Sequence, residues 1–176
     1  MLANALSVLR ILLVPLAIYS LYRSAQSSDS VFQSLTVTLL LTAAATDLLD
    51  GYVARRLGQV NQLGKILDPV ADKLCIGFVS LALVWWREFP LWLLGIQLVR
   101  DLGIVTAGMV MLKRRRIVVS ASRLGKYATV SMAVTMLIHI IQAPGLASEI
   151  MIWVTTALLV ASTLGYVRHL LRPTAA

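Results

Sequence analysis

The sequence predicts an all-α integral membrane protein, a bundle of six transmembrane helices with both termini in the cytoplasm, forming a single domain over residues 1–176. Three observations predict it. Hydrophobic residues make up 59% of the chain and charged ones only 14%, with mean hydropathy +0.83, whereas soluble domains are about one-quarter charged. Crossing the hydrocarbon takes roughly 20 mostly apolar residues per helix, and six such stretches occupy almost the whole chain, leaving no room for a second domain. The cations, finally, gather at alternate connections between those stretches.

The apolar periodicity predicts helices over 6–22, 34–54, 66–86, 91–112, 124–142 and 147–167. The first begins at Leu6 with no cleavage region of small polar residues beyond it, so it is read as an anchor and not a removable signal peptide. Residues 23–30, Arg-Ser-Ala-Gln-Ser-Ser-Asp-Ser, form a short polar external turn. Gln142-Ala-Pro-Gly-Leu breaks the chain between the last two helices through its Pro-Gly pair. Trp85, Trp86, Trp92 and Trp153 fall near helix ends, as an interfacial aromatic belt requires.

Orientation follows from charge. Arg55, Arg56 and Lys65 lie between the second and third helices, Lys113 to Arg116, Arg123 and Lys126 between the fourth and fifth, and Arg168 and Arg172 at the end. The opposite side carries only Arg23 and Arg87. The positive-inside bias therefore places both termini and the 55–65 and 113–126 connections in the cytoplasm, in a bacterial cell the inner membrane. The net charge of +8 does not indicate nucleic acid, because basic and aromatic residues are not interleaved on a polar surface. Membrane lipids and an anionic substrate are the expected partners. The one cysteine, Cys75, can form no internal disulfide, and no repeat or low-complexity tract is visible.

Four of the chain's 8 acidic residues, Asp47, Asp50, Asp68 and Asp72, fall close together in two adjacent apolar stretches. Carboxylates at membrane depth cost roughly 2.5–3.5 kcal/mol each, so four without compensation cost on the order of 10 kcal/mol. Asp47, Asp50, Gly51 and Ala54 are spaced i, i+3, i+4, i+7, one face of a helix. Asp68 and Asp72, with Gly64 four residues earlier, share a face of the next. Two such faces turned together would place four carboxylates around a cleft kept open by small residues. Oxygen donors without a nearby Cys or His select Mg²⁺ or Mn²⁺ over zinc. Two such ions, roughly 3.5–4 Å apart, would clamp the oxygens of a phosphoryl displacement. Pairing with Arg55, Arg56, Lys65 or Lys73 could account for one or two of the acids, but poorly for four on two coherent faces.

Asp47-Leu-Leu-Asp50-Gly51-Tyr-Val-Ala54-Arg55, eight further residues, then Gly64-Lys-Ile-Leu-Asp68-Pro-Val-Ala-Asp72 resembles the signature of the CDP-alcohol phosphatidyltransferase family, with every specified position filled. Asn4-Ala-Leu-Ser-Val-Leu-Arg10, followed by Pro15, is similar to the opening of its bacterial branch. The resemblance implies metal ligation by Asp47, Asp50, Asp68 and Asp72, with Asp72 also the base that takes the acceptor's hydroxyl proton. It implies further that Gly51, Ala54, Arg55 and Gly64 cradle the cytidine diphosphate of CDP-diacylglycerol, and that the protein is a homodimer. Asp68-Pro69 adds an expected distortion, since a residue before proline is biased out of the helical region.

The acceptor alcohol is less fully specified. A phosphorylated acceptor such as glycerol 3-phosphate needs a second cationic pocket, for which Arg100, Arg123 and Lys126 are the first candidates and Arg116 and Arg168 the next. Arg100 sits mid-helix beside Asp101, where a cation is expensive, so a local Arg-Asp pair is the competing reading. Arg116 to Lys126 resembles the corresponding segment of phosphatidylglycerophosphate synthases, a resemblance that implies transfer from CDP-diacylglycerol to glycerol 3-phosphate, giving phosphatidylglycerophosphate and CMP, as the first choice. The Arg100-Asp101 pair is also similar to the cardiolipin-synthase branch, which uses phosphatidylglycerol, and a phosphatidylinositol-phosphate synthase would need the same kind of pocket. A small cation transporter is the reading from another class, but the acids cluster beside one cytoplasmic connection instead of threading the spans. His139 and His169 carry no assigned role.

Overall fold

A computed structural model describes the backbone of residues 2–27, 29–57, 64–115, 123–143 and 145–171, and side chains within 12–27, 29–46, 73–106, 124–143 and 145–168. Among the described residues the secondary structure is all α-helix: α1 Leu2–Ser27, α2 Ser30–Leu57, α3 Gly64–Trp86, α4 Leu91–Arg115, α5 Arg123–Ile140 and α6 Gly145–Leu171. Each holds one of the six apolar stretches.

The helices outrun those stretches at most ends. Hydropathy marks where a helix meets apolar surroundings, whereas backbone hydrogen bonding continues through polar residues until a cap or breaker stops it. The external turn expected over 23–30 is accordingly much shorter, because α1 runs on to Ser27. Asp29 then caps α2: its Oδ1 accepts the Val31 N–H at 2.9 Å and its carbonyl accepts that of Gln33 at 3.3 Å. The α3 helix is continuous through Asp68 and Pro69, so no helix break accompanies that proline.

Two ends are made by left-handed residues. Glu88 has φ 54° after α3 and Gln142 has φ 51° after α5. At the second, the Ala143 N–H reaches the Ile138 carbonyl (3.1 Å) and the Gln142 N–H that of His139 (3.3 Å), the paired bonds of a Schellman cap. That cap ends α5 at Ile140, short of the expected residue 142.

The chain forms two compact helical units, Met1–Phe89 and Pro90–Ala176. In the first, α1 packs on both α2 and α3. Leu21 and Leu83 fill its interior, and Ser20 donates to the Phe32 carbonyl (2.8 Å) while accepting from Thr36 (3.1 Å). Arg87, just past α3, donates to Ser24 of α1; burial pushes its guanidinium below the ordinary value. In the second, α6 packs on α4 and α5 around Leu93, Met132 and Leu159. Thr135 and Thr155 share a hydrogen bond of 2.8 Å, and His139 bridges the Thr135 carbonyl (2.8 Å) and Ser148 (3.2 Å).

Large apolar side chains are exposed while several polar ones are buried beside the apolar core. Leu12, Val31, Trp85, Val99, Leu146 and Trp153 are each more than 60% exposed, while Gln97, Arg100, Asp101, Ser162 and Thr155 are buried. Hydroxyls on exposed faces turn back onto their own helix: Thr38, Thr42, Thr106 and Thr129 each donate to the carbonyl four residues earlier, satisfying themselves without water. Among the described residues one helix segment, Gly145–Arg168, is long and apolar enough to cross a membrane. Its most apolar window is only 17% buried, unlike the core helix of a soluble protein. Shorter apolar segments cover Ser30–Thr46, Lys73–Trp86 and Leu124–Ile140.

A left-handed backbone costs a residue with a Cβ roughly 1–2 kcal/mol. Gln142→Gly should therefore stabilise the protein by about 1 kcal/mol, read as a rise of roughly 2–4 °C in melting temperature. A fall would mean that the glutamine side chain contributes more than its backbone conformation costs.

Candidate active site

The motif residues lie on two consecutive helices. Asp47, Asp50, Gly51, Ala54 and Arg55 all lie on the C-terminal part of α2; Gly64 is the first residue of α3, and Asp68 and Asp72 follow one and two turns later. Both helices pack on α1 within the same unit. The side chains of these eight residues lie outside the described set. Among the described residues no group of three metal-binding side chains occurs. As a donor set, four carboxylates offer oxygen alone and fit a hard divalent cation.

The second unit holds a polar cluster whose side chains are described. Arg100 is 7% exposed and Asp101 8%, values that a lone ion could not sustain in an apolar interior. Arg100 Nη1 donates to Asp101 Oδ1 at 3.0 Å; Nη2 donates to the Gly125 carbonyl at 3.3 Å and to Ser162 Oγ at 3.2 Å. One guanidinium thus links α4 to the first turn of α5 and to α6. Its fork of five donors in fixed geometry makes this possible. The local Arg-Asp pair considered from the sequence is therefore present, and both terminal nitrogens are engaged within the protein. Arg100 Nε and Gln97 Oε1, one turn apart on α4, are buried without a partner among the described residues.

The other candidate cations differ. Lys126 is exposed on the first turn of α5, and Arg168 is exposed near the end of α6. Arg123 opens α5, its side chain outside the described set, and Arg116 lies outside the described residues altogether. Sequence reasoning missed Ser162, which anchors Arg100, and Tyr166, whose hydroxyl donates to the Ile104 carbonyl at 3.4 Å. Their i, i+4 spacing puts them on one face of α6, but nothing in the sequence says that this face meets α4.

The comparison with known proteins decides the family: its sequence profile, described as CDP-alcohol phosphatidyltransferase, matches residues 1–161. The chain belongs to the CDP-alcohol phosphatidyltransferase family. It is a transferase of phospholipid biosynthesis. A probable phosphatidylglycerophosphate synthase of Mycobacterium tuberculosis is 30% identical over 174 residues, 97% of this chain and 82% of its own length. The CDP-diacylglycerol–glycerol-3-phosphate 3-phosphatidyltransferase of Rickettsia felis is 30% identical over 175 residues, 94% and 92% respectively. A probable CMP-forming cardiolipin synthase of Drosophila melanogaster is 44% identical over 78 residues, but these are 44% of this chain and 24% of that protein.

If Arg100 and Asp101 neutralise each other, removing one charge should be worse than removing both. Arg100→Met, which strands a buried carboxylate, should cost about 3–5 kcal/mol in detergent-unfolding measurements, and adding Asp101→Leu should recover most of it. Equal losses in the single and double variants would mean the pair is not coupled.

Proposed function

We propose that the protein transfers the phosphatidyl group of CDP-diacylglycerol to glycerol 3-phosphate, giving phosphatidylglycerophosphate and CMP. The observation carrying this reading is the complete aspartate motif, borne on the C-terminal part of α2 and the N-terminal part of the next helix, α3. The acceptor follows the relatives that match over nearly their whole length and are named for glycerol 3-phosphate or phosphatidylglycerophosphate.

Asp47, Asp50, Asp68 and Asp72 would hold two Mg²⁺ or Mn²⁺ ions, the family's reactions being dependent on divalent metal. Bound there, the ions would neutralise the diphosphate and stabilise the charge that develops on the departing CMP. Gly51, Ala54 and Gly64 leave the backbone open to the cytidine diphosphate, and Arg55 supplies a guanidinium for its phosphate oxygens. The acceptor's hydroxyl oxygen attacks the phosphorus that bears the diacylglycerol. Its proton passes to Asp72, and the bond from that phosphorus to the bridging oxygen breaks, so that the oxygen leaves with CMP. Arg123 and Lys126 hold the acceptor phosphate.

The same reading makes residues 1–176 one domain, a six-span bundle in the inner membrane with both termini and the active site on the cytoplasmic side. Apolar exposed faces, self-satisfied hydroxyls and a buried polar interior support hydrocarbon as the solvent. Cations concentrated at alternate connections support the orientation. A homodimer is supported by the exposed face of α4, where Gly95 and Gly103 have open space around them and would allow close helix approach. The cardiolipin-synthase relative favours a second reading, phosphatidylglycerol as acceptor, over the part of the chain it matches.

Purified protein given CDP-diacylglycerol and Mg²⁺ should release CMP when glycerol 3-phosphate is added, and not when phosphatidylglycerol or inositol phosphate replaces it. CMP release driven by phosphatidylglycerol would transfer the assignment to the second reading. Asp72→Asn should lower turnover by a factor of at least about 10²–10⁴, the usual worth of a positioned base, while sparing metal binding more than Asp68→Asn does. Release that survives Asp72→Asn would remove Asp72 as the base.

A further inference from the structure

We infer that Arg100 is a positioning residue: with Asp101 and Ser162 it fixes the first turn of α5, and so sets Arg123 and Lys126 at the spacing that binds the acceptor's phosphate. This rests on the proposed role of those two cations and adds to it the element that holds them.

Both terminal nitrogens of Arg100 are already committed inside the unit, to Asp101, Gly125 and Ser162. A guanidinium so engaged is a poor direct ligand for a second anion, and Asp101 cancels most of its charge at 3.0 Å. What the arrangement does instead is mechanical. Gly125 is the third residue of α5 and stands between the two candidate cations in sequence. Helix ends fray unless something outside the helix holds them. The Gly125 carbonyl receives Thr129 from within α5 at 3.0 Å and Arg100 from α4 at 3.3 Å, so the turn is held from both sides. Arg100 is in turn held by Ser162, which is 2% exposed on α6.

Simple helix adhesion does not call for this residue. Hydroxyl pairs join α1 to α2 and α5 to α6 in the same molecule. An arginine and an aspartate buried together are an expensive way to obtain adhesion alone. They are a suitable way to reach three helices from one side chain. The first turn of α5 also carries the positive end of the helix dipole, which adds to Lys126 and Arg123 in favouring an anion only while the turn stays formed.

The test measures steady-state kinetics of the full-length protein in lipid nanodiscs, using whichever acceptor drives CMP release by the wild type, for Arg100→Lys, Ser162→Ala, Lys126→Ala and the Ser162→Ala/Lys126→Ala double variant. Ser162→Ala and Arg100→Lys should raise KM for the acceptor by roughly 3–10-fold, the worth of about one displaced hydrogen bond, leaving KM for CDP-diacylglycerol and kcat within about twofold. In the Lys126→Ala background the Ser162→Ala effect should be clearly smaller than in the wild type, because one of the two cations it positions is gone. Acceptor KM unchanged in both single variants, both KM values moving together, or effects that multiply fully in the double variant would each overturn the inference. Should Arg100→Lys fail to fold, Ser162→Ala, which deletes one oxygen, decides the matter. A wrong acceptor assignment shows separately, in the wild type's choice of substrate.

Discussion

A polar group removed from water must find its partner inside the protein, and the described helix contacts follow from that requirement. Exposed threonines return their hydroxyls to their own helices. Buried serines and threonines meet across helix pairs. Arg100 spends its donors on a carboxylate, a carbonyl and a hydroxyl drawn from three helices. Within each unit, the polar contacts that would be minor in a soluble protein specify which helices touch and at what height.

The same requirement gives the aspartates their meaning. Four carboxylates on two consecutive helices would be costly at membrane depth, and in the proposed site a pair of divalent cations would neutralise all four at once. On this reading the penalty of placing acids in an apolar bundle is offset only when metal is bound, which couples the integrity of the site to the ion that the chemistry needs. The buried Arg100 and Asp101 compensate each other by pairing.

Helix number and position were legible in the sequence because six apolar stretches of helical length are separated by polar or turn-forming residues. Helix ends were less so: Ser27 and Arg115 are polar residues that extend α1 and α4 where hydropathy no longer marks a helix, and the stop at Ile140 depends on Gln142 adopting a left-handed conformation rare for a side chain with a Cβ. The aspartate motif stood out because carboxylates are conspicuous in an apolar stretch, and its residues lie on α2 and α3 in the expected register. Arg100 was conspicuous for the same reason, yet its partners were not. Ser162 and Gly125 are 62 and 25 positions away, small residues whose importance comes only from where three helices meet.

The central claim, that α2 and α3 turn their carboxylates into one shared site, is tested most directly by Mn²⁺ titration of the purified protein followed by electron paramagnetic resonance. The account predicts saturable binding of two ions with the broadened spectrum of a coupled pair, collapsing to one ion or none in Asp68→Asn. Binding that is absent in the wild type, or unchanged when all four aspartates are replaced by asparagine, would contradict it.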